Sequence, residues 1–280
     1  MSYALYINKP KGITSFDVCY KLRRVLNSKK IGHTGTLDPN ATGVMIVLYN
    51  SSTKANQFLV SDSKEYICRV KLGIETDTLD IDGKIINKED CKSPNKDVLV
   101  NTLNSFVGKQ SQIVPITSAV KVNGKKLYEY QRNNIQVDLP CKDIEVHNIE
   151  LIDMDEYSFT FKTKVSSGTY IRALARDILI KLNLIGTVEE LTRTMIDDIS
   201  VDECDDFNDV LEGNYHNHDL LDIMSRRYVT YDYEKINDVI NGKRIKLEIN
   251  ADKVVIVHDN VLYAIYQKDG DMYKCLRGLL

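Results

Sequence analysis

Residues 32–48 read Gly32-His33-Thr34-Gly35-Thr36-Leu37-Asp38-Pro39-Asn40-Ala41-Thr42-Gly43-Val44-Met45-Ile46-Val47-Leu48. Glycine carries excess backbone entropy and proline lacks an N–H donor, so 32–43 suits neither helix nor strand. A shaped loop is expected there, and the apolar run 44–48 behind it reads as a buried strand. Asp38, the single carboxylate, then stands on a loop fixed to a rigid element, a common setting for chemistry. The spacing equally suits an Asx-turn, with Asp38 bonding its own backbone. Both readings stand at this point.

Outward from the loop, 3–8 reads as a short strand that ends in the turn Lys9-Pro10-Lys11-Gly12. Thr14 with Asp17 three residues later is a capping-box pattern that opens a helix, with Val18, Leu22 and Val25 as its apolar stripe. Residues 66–72 alternate as a strand. A polar turn at 76–83 leads to a strand at 84–86, and 98–107 fits a helix of about three turns. The pairing of 144–152 with 159–165 is expected, closed by the turn at Ser166-Ser167-Gly168 and followed by an amphipathic helix over 170–182. An acidic linker, 197–222, then leads to a small β-barrel-like module over 223–280. Its strands are expected at 253–257, 261–266 and 272–276, with turns at Asn241-Gly242 and Asp269-Gly270.

The chain has 280 residues, 43% hydrophobic and 28% charged, which suits about two soluble domains with a normal core. No apolar run approaches the ~20 residues of a membrane span. The first residues lack the basic start and apolar core of a signal peptide, so a cytoplasmic protein is the expectation. Six scattered cysteines include no CxxC pair, which indicates neither a zinc site nor a redox pair. His216-x-His218 is the one histidine cluster and reads as part of a solvated loop. The net charge of −3 hides a division. Residues 1–37 carry seven Lys or Arg against one acid, whereas 197–222 carry ten acids and no Lys or Arg. Without that segment the remaining charge is +7, which is compatible with a polyanionic partner. Lys121, Lys125, Lys126 and Arg132 interleave with Tyr128 and Tyr130 in an excursion over about 110–140, a composition suited to phosphate contacts or to a solvated basic face.

Several boxes occur together and in order: Lys9-Pro-Lys-Gly12, the 32–43 loop, Thr76-Asp-Thr78 with Asp80 and Gly83, Gly124-Lys-Lys-Leu-Tyr128-Glu, and Gly168-Thr-Tyr-Ile-Arg172. Over about residues 1–195 the chain resembles the bacterial TruB-type tRNA pseudouridine synthases, which isomerise uridine-55 of the T loop. The resemblance implies an α+β fold with a mixed, mainly antiparallel sheet as catalytic core (1–222) and a PUA-like C-terminal β module (223–280). It implies Asp38 as the catalytic carboxylate at the sugar–base junction, Arg172 as its charge partner, and Tyr66 packed on the uracil and implicated in removing the C5 proton. Tyr170 and Leu191 would line the pocket, and His33 would occupy space left by flipped T-loop bases. Lys9 would support the site's architecture or the substrate. Lys121, Lys125, Lys126 and Arg132 would clasp the T arm.

The isomerisation consumes neither electrons nor water, so no cofactor and no metal are expected. The partner would be tRNA, through its T arm, with no guide RNA and no membrane, and the protein would act as a monomer. The competing readings are an RNA-folding chaperone with secondary catalysis and a guide-dependent pseudouridylation subunit. Three departures from the family pattern stand out: Thr117 where relatives carry tyrosine, Asn40 in place of leucine, and Met195-Ile-Asp-Asp198 after Arg193.

Overall fold

The computed structural model describes residues 2–280. Strand β1 (Tyr3–Lys9) turns at Gly12 into helix α1 (Ser15–Val25), followed by β2 (Ile31–His33) and β3 (Ala41–Tyr49). A 3-10 helix (Asn50–Phe58) precedes β4 (Ser63–Leu72), β5 (Ile74–Thr76), β6 (Ile85–Lys88) and α2 (Lys96–Asn104). Next come β7 (Gly108–Ile113), the hairpin of β8 (Lys121–Val122) and β9 (Lys125–Lys126), and α3 (Leu127–Arg132). The long pair β10 (Cys141–Met154) and β11 (Ser158–Ser166) leads to α4 (Ile171–Leu182), β12 (Gly186–Ile196) and β13 (Ile199–Ser200). The chain continues through β14 (Asp205–Asp206), α5 (Phe207–Glu212), β15 (His218–Asp219) and α6 (Leu220–Ser225). It ends with β16 (Val229–Asp232), α7 (Ile236–Ile240), β17 (Lys253–His258), β18 (Val261–Asp269) and β19 (Met272–Gly278).

These elements form two compact units. The first takes residues through Pro39, Val44–Val60 and Val201–Leu280; the second takes Asn40–Gly43 and Ser61–Ser200.

In the first unit β1 lies between β3 and β14, with β2 antiparallel to the end of β3 and β15 antiparallel to the start of β1. Helix α1 begins as its sequence requires: the Asp17 amide donates to the Thr14 hydroxyl, and the Asp17 carboxylate accepts from the Thr14 amide. Its Val18 and Leu22 pack with Leu5, Ile7, Met45, Val47, Phe207 and Val210 in one buried cluster. Each such aliphatic side chain contributes about 1.5–3 kcal/mol of burial free energy.

The acidic stretch 197–222 is not a linker but folded structure. Asp206 and Asp219 cap α5 and α6, their carboxylates accepting from the Asn208 and Leu221 amides. Asp205 accepts from the His216 amide. His218 is not in a solvated loop either: it lies in β15 with its ring stacked 3.7 Å from that of Tyr6. The C-terminal residues form a four-stranded sheet in the order β16-β17-β18-β19, with a core that includes Val239, Ile245, Val254, Ile256, Tyr266 and Tyr273.

The second unit is a mainly antiparallel sheet in the order β12-β4-β11-β10-β7, and residues 41–43 of β3 join β12 in parallel. Along β4, Tyr66, Cys68, Val70 and Leu72 are buried and alternate with part-exposed neighbours. No helix among the described residues is long and apolar enough to cross a membrane.

Candidate active site

The loop that carries Asp38 is held on both sides of that residue. Leu37 is buried, and both of its backbone groups are bound: its amide donates to Ser15 Oγ at 2.8 Å, and its carbonyl accepts from the same hydroxyl at 3.0 Å. On the other side the Pro39 carbonyl accepts from the Gly12 amide at 2.9 Å and from Lys9 Nζ at 3.2 Å. Lys9 is wholly buried and also donates to the carbonyls of Pro10 and Ile13, at 2.8 and 2.7 Å. Of the two roles open to Lys9, architecture is the one these bonds serve: a buried ammonium closes the Lys-Pro-Lys-Gly turn onto the residue after Asp38. Asp38 itself is half-buried. His33 ends β2 opposite Val47, also half-buried, and the Thr34 amide donates to the Ile46 carbonyl.

Arg172 stands in the first turn of α4, almost wholly buried. Its Nη1 donates to Asp80 Oδ2 at 3.1 Å, to the Thr78 carbonyl at 2.7 Å and to Thr117 Oγ1 at 3.0 Å. The Thr76–Gly83 box is thus a socket for this guanidinium. Within it the Thr78 hydroxyl donates to Asp80 Oδ1, and the Thr76 hydroxyl to the Asp80 carbonyl. Leu79 takes a left-handed φ of 66°, and Gly83 has no room for a β-carbon beside Asp77 and Thr78. Thr117, where a tyrosine is usual in the resembled family, supplies a hydroxyl acceptor in place of a ring.

Tyr170 is fixed through its backbone. The side-chain amide of buried Gln112 accepts from the Tyr170 amide at 2.9 Å and donates to its carbonyl at 3.1 Å. The Tyr170 ring packs against the small core of the excursion, formed by Val114, Leu127 and Tyr130. Register places Leu191 opposite Cys68 and Arg193 opposite Tyr66, so Tyr66, Leu191 and Arg193 share one face of the sheet. Burial pushes the Cys68 thiol on that face upward, which leaves it protonated and inert. Gly43 has a φ of 102°, and a β-carbon there would fall on the Arg193 backbone. Glycine is therefore required where β3 meets β12.

In the excursion, Lys121 and Lys125 are exposed at the ends of the β8–β9 hairpin. Lys126 and Arg132 each lie 5.4 Å from the Tyr128 ring centre. Thr78, Thr117, Tyr128, Gln131 and Arg132 line a cavity of about 410 Å³ in this unit.

Sequence reasoning did not assign roles to Ser15, Gln112, Asp80 or Arg193. Asp80 stood inside a quoted box, and that was its signal. Ser15, Gln112 and Arg193 act through contacts far apart in the chain and left none.

The family model "TruB family pseudouridylate synthase (N terminal domain)" matches residues 23–171. The chain is 35% identical over 274 residues to the tRNA pseudouridine synthase B of Clostridium tetani, covering 96% of this chain and 93% of the relative. It is 38% identical over 252 residues to the protein of the same name from Alkaliphilus oremlandii, covering 88% and 83%. Among solved structures it resembles a chain of an H/ACA RNP bound to a substrate RNA containing 2′-deoxyuridine, with a TM-score of 0.73 at 19% identity, covering 99% of this chain and 85% of that one. A Cbf5-Nop10-Gar1 complex matches at a TM-score of 0.73 and 20% identity, with the same coverage. These two establish the fold. With a family model over more than half its length and relatives of 35–38% identity along most of the rest, the chain belongs to the TruB family of pseudouridylate synthases.

Proposed function

We propose that this chain isomerises uridine-55 in the T loop of tRNA to pseudouridine. The reaction breaks the N1–C1′ bond, turns the detached uracil and joins its C5 to C1′; the C5 proton is lost and N1 gains one. The observation that carries the reading is the anchoring of Leu37 and Pro39 by Ser15, Gly12 and buried Lys9, which fixes the backbone on either side of a single half-buried carboxylate. Asp38 acts at C1′.

Tyr66 packs on the uracil and serves the loss of the C5 proton, with Tyr170 and Leu191 as apolar walls. Arg172, held by Asp80, supplies positive charge that favours ionised carboxylate in a desolvated pocket. His33 fills space left by extruded T-loop bases, since the target must leave its stack at a cost of a few kcal/mol. Lys121, Lys125, Lys126 and Arg132 contact phosphates of the T arm, and residues 223–280 form a PUA-like module. The enzyme works in the cytoplasm as a monomer, without a guide RNA. Identity of 35% or more to proteins named tRNA pseudouridine synthase B, against 19–20% to the H/ACA structures, supports the guide-free reading.

Incubating the protein with an unmodified tRNA pool, with no guide RNA added, and mapping pseudouridine afterwards tests this. One new pseudouridine in the T loop is expected. Modification that needs an added guide, or none at all, would overturn the reading.

A further inference from the structure

Helix α1 buries Val18, Cys19 and Leu22, but Phe16 and Tyr20, one turn apart, stay 65% and 61% exposed. Their ring centres are 6.5 Å apart with planes 23° from parallel, and the Arg23 guanidinium lies 5.5 Å from the Tyr20 ring centre. Positions 16, 20 and 23 share one helical face, so these flat groups form a single stripe. An isolated exposed aromatic needs no explanation. A near-parallel pair flanked by a guanidinium is a larger feature. Cations run beside it: Lys11, Lys21, Arg23, Arg24, Lys29 and Lys30 are all exposed, and none has an ion-pair partner among the described residues. The one acid between residues 11 and 30, Asp17, is occupied by the Thr14 amide and hydroxyl at 2.9 and 2.6 Å. Lys21 and Arg24 also line a groove of about 570 Å³ between α1 and α5, which the exposed Glu212 shares.

We infer that this face of α1 binds an unpaired stretch of the substrate RNA, with bases stacked on Phe16 and Tyr20 and phosphates at Lys21 and Arg24. The surface rests on the pseudouridylation reading, which supplies the RNA. Cations alone suit any polyanion, duplex RNA included. The rings are what a duplex cannot use, because its bases are already stacked on one another and only unpaired bases offer a free face. The stripe also begins beside the proposed site: Ser15, the residue before Phe16, bonds both backbone groups of Leu37. RNA held on α1 is thereby tethered next to the Asp38 loop.

The test compares an unmodified tRNA transcript with a fully paired RNA duplex carrying the same number of phosphates. Affinity for each is measured across a salt series for the wild type, for Phe16→Ala with Tyr20→Ala, and for Lys21→Gln with Arg24→Gln. Pseudouridine formation by the wild type is mapped in the same transcript. Phe16 and Tyr20 lie outside the buried cluster of α1, so their loss leaves that core intact. The aromatic variant is expected to bind the transcript at least tenfold more weakly and the duplex within twofold of wild type. The basic variant is expected to weaken on both RNAs and to flatten the salt dependence. An aromatic variant that matches wild type on the transcript, or that loses equally on both RNAs, would overturn the surface alone, provided the wild type forms pseudouridine. Vesicles of phosphatidylglycerol serve as a third probe, and ring-dependent binding to them with RNA affinity unchanged would overturn it too. A wild type that makes no pseudouridine in the transcript would overturn the reading on which the surface rests.

Discussion

Arg172 and Asp80 show how one side-chain pair joins distant parts of the sequence. Their side chains are 8% and 14% exposed, and the guanidinium also ties Thr78 to Thr117. Removing one member of a buried charge pair typically costs about 3–5 kcal/mol. Asp80→Asn is expected to lower the free energy of unfolding by about 3 kcal/mol, read from urea titration. Pseudouridine formation is expected to fall with it by at least tenfold, because Arg172 loses its orientation. A stability change within ±0.5 kcal/mol would show that the socket does not depend on the pair. Lys9 is a different case. Its buried ammonium binds three carbonyls, which makes the Lys-Pro-Lys-Gly box a hinge pin for the Asp38 loop.

Among the elements, the junction of β3 with β12 carries the strictest sequence requirement. Gly43→Ala would force a β-carbon into the Arg193 backbone at a positive φ. A loss of about 3 kcal/mol or more is expected, with faster amide exchange in β12 around residues 191–193. Exchange unchanged from wild type would contradict the close approach. The caps of the acidic segment carry their own test: Asp206→Ala is expected to cost about 1 kcal/mol in thermal or urea unfolding, where a solvated linker would register nothing.

Much of the element pattern was legible. The Thr14/Asp17 box marked the start of α1, alternation marked β4, and the apolar stripe marked α4. Strand β12 was not, because bulges after Val188 and Arg193 break the period-two pattern that reveals a half-buried strand. The acids at 197–222 hid a folded segment, because β14 and β15 are two residues each and its helices are six. Charge density outweighed the cap signals. In the candidate site, the residues that match family boxes were legible, but the partners that hold them (Ser15, Gln112, Asp80) come from pairings at sequence separations of 22, 58 and 92.

At the scale of the whole molecule, the chain is a TruB-family pseudouridylate synthase, and the chemistry proposed for it rests on one carboxylate on the 32–43 loop. The glycines and proline there gain their meaning from what grips them: Gly12 and Lys9 on Pro39, Ser15 on Leu37, and β12 against Gly43. Binding of a polyanionic arm is spread over many cations, so no single charge is expected to decide it. Chemistry at C1′ is not spread in this way. The most direct test is therefore Asp38→Asn, assayed for pseudouridine formation on a T-arm hairpin alongside direct measurement of RNA binding. The account predicts that conversion falls by at least 10³-fold, equivalent to about 4 kcal/mol of barrier, while affinity stays within about threefold of wild type. Conversion by Asp38→Asn at a rate near the wild type would contradict it.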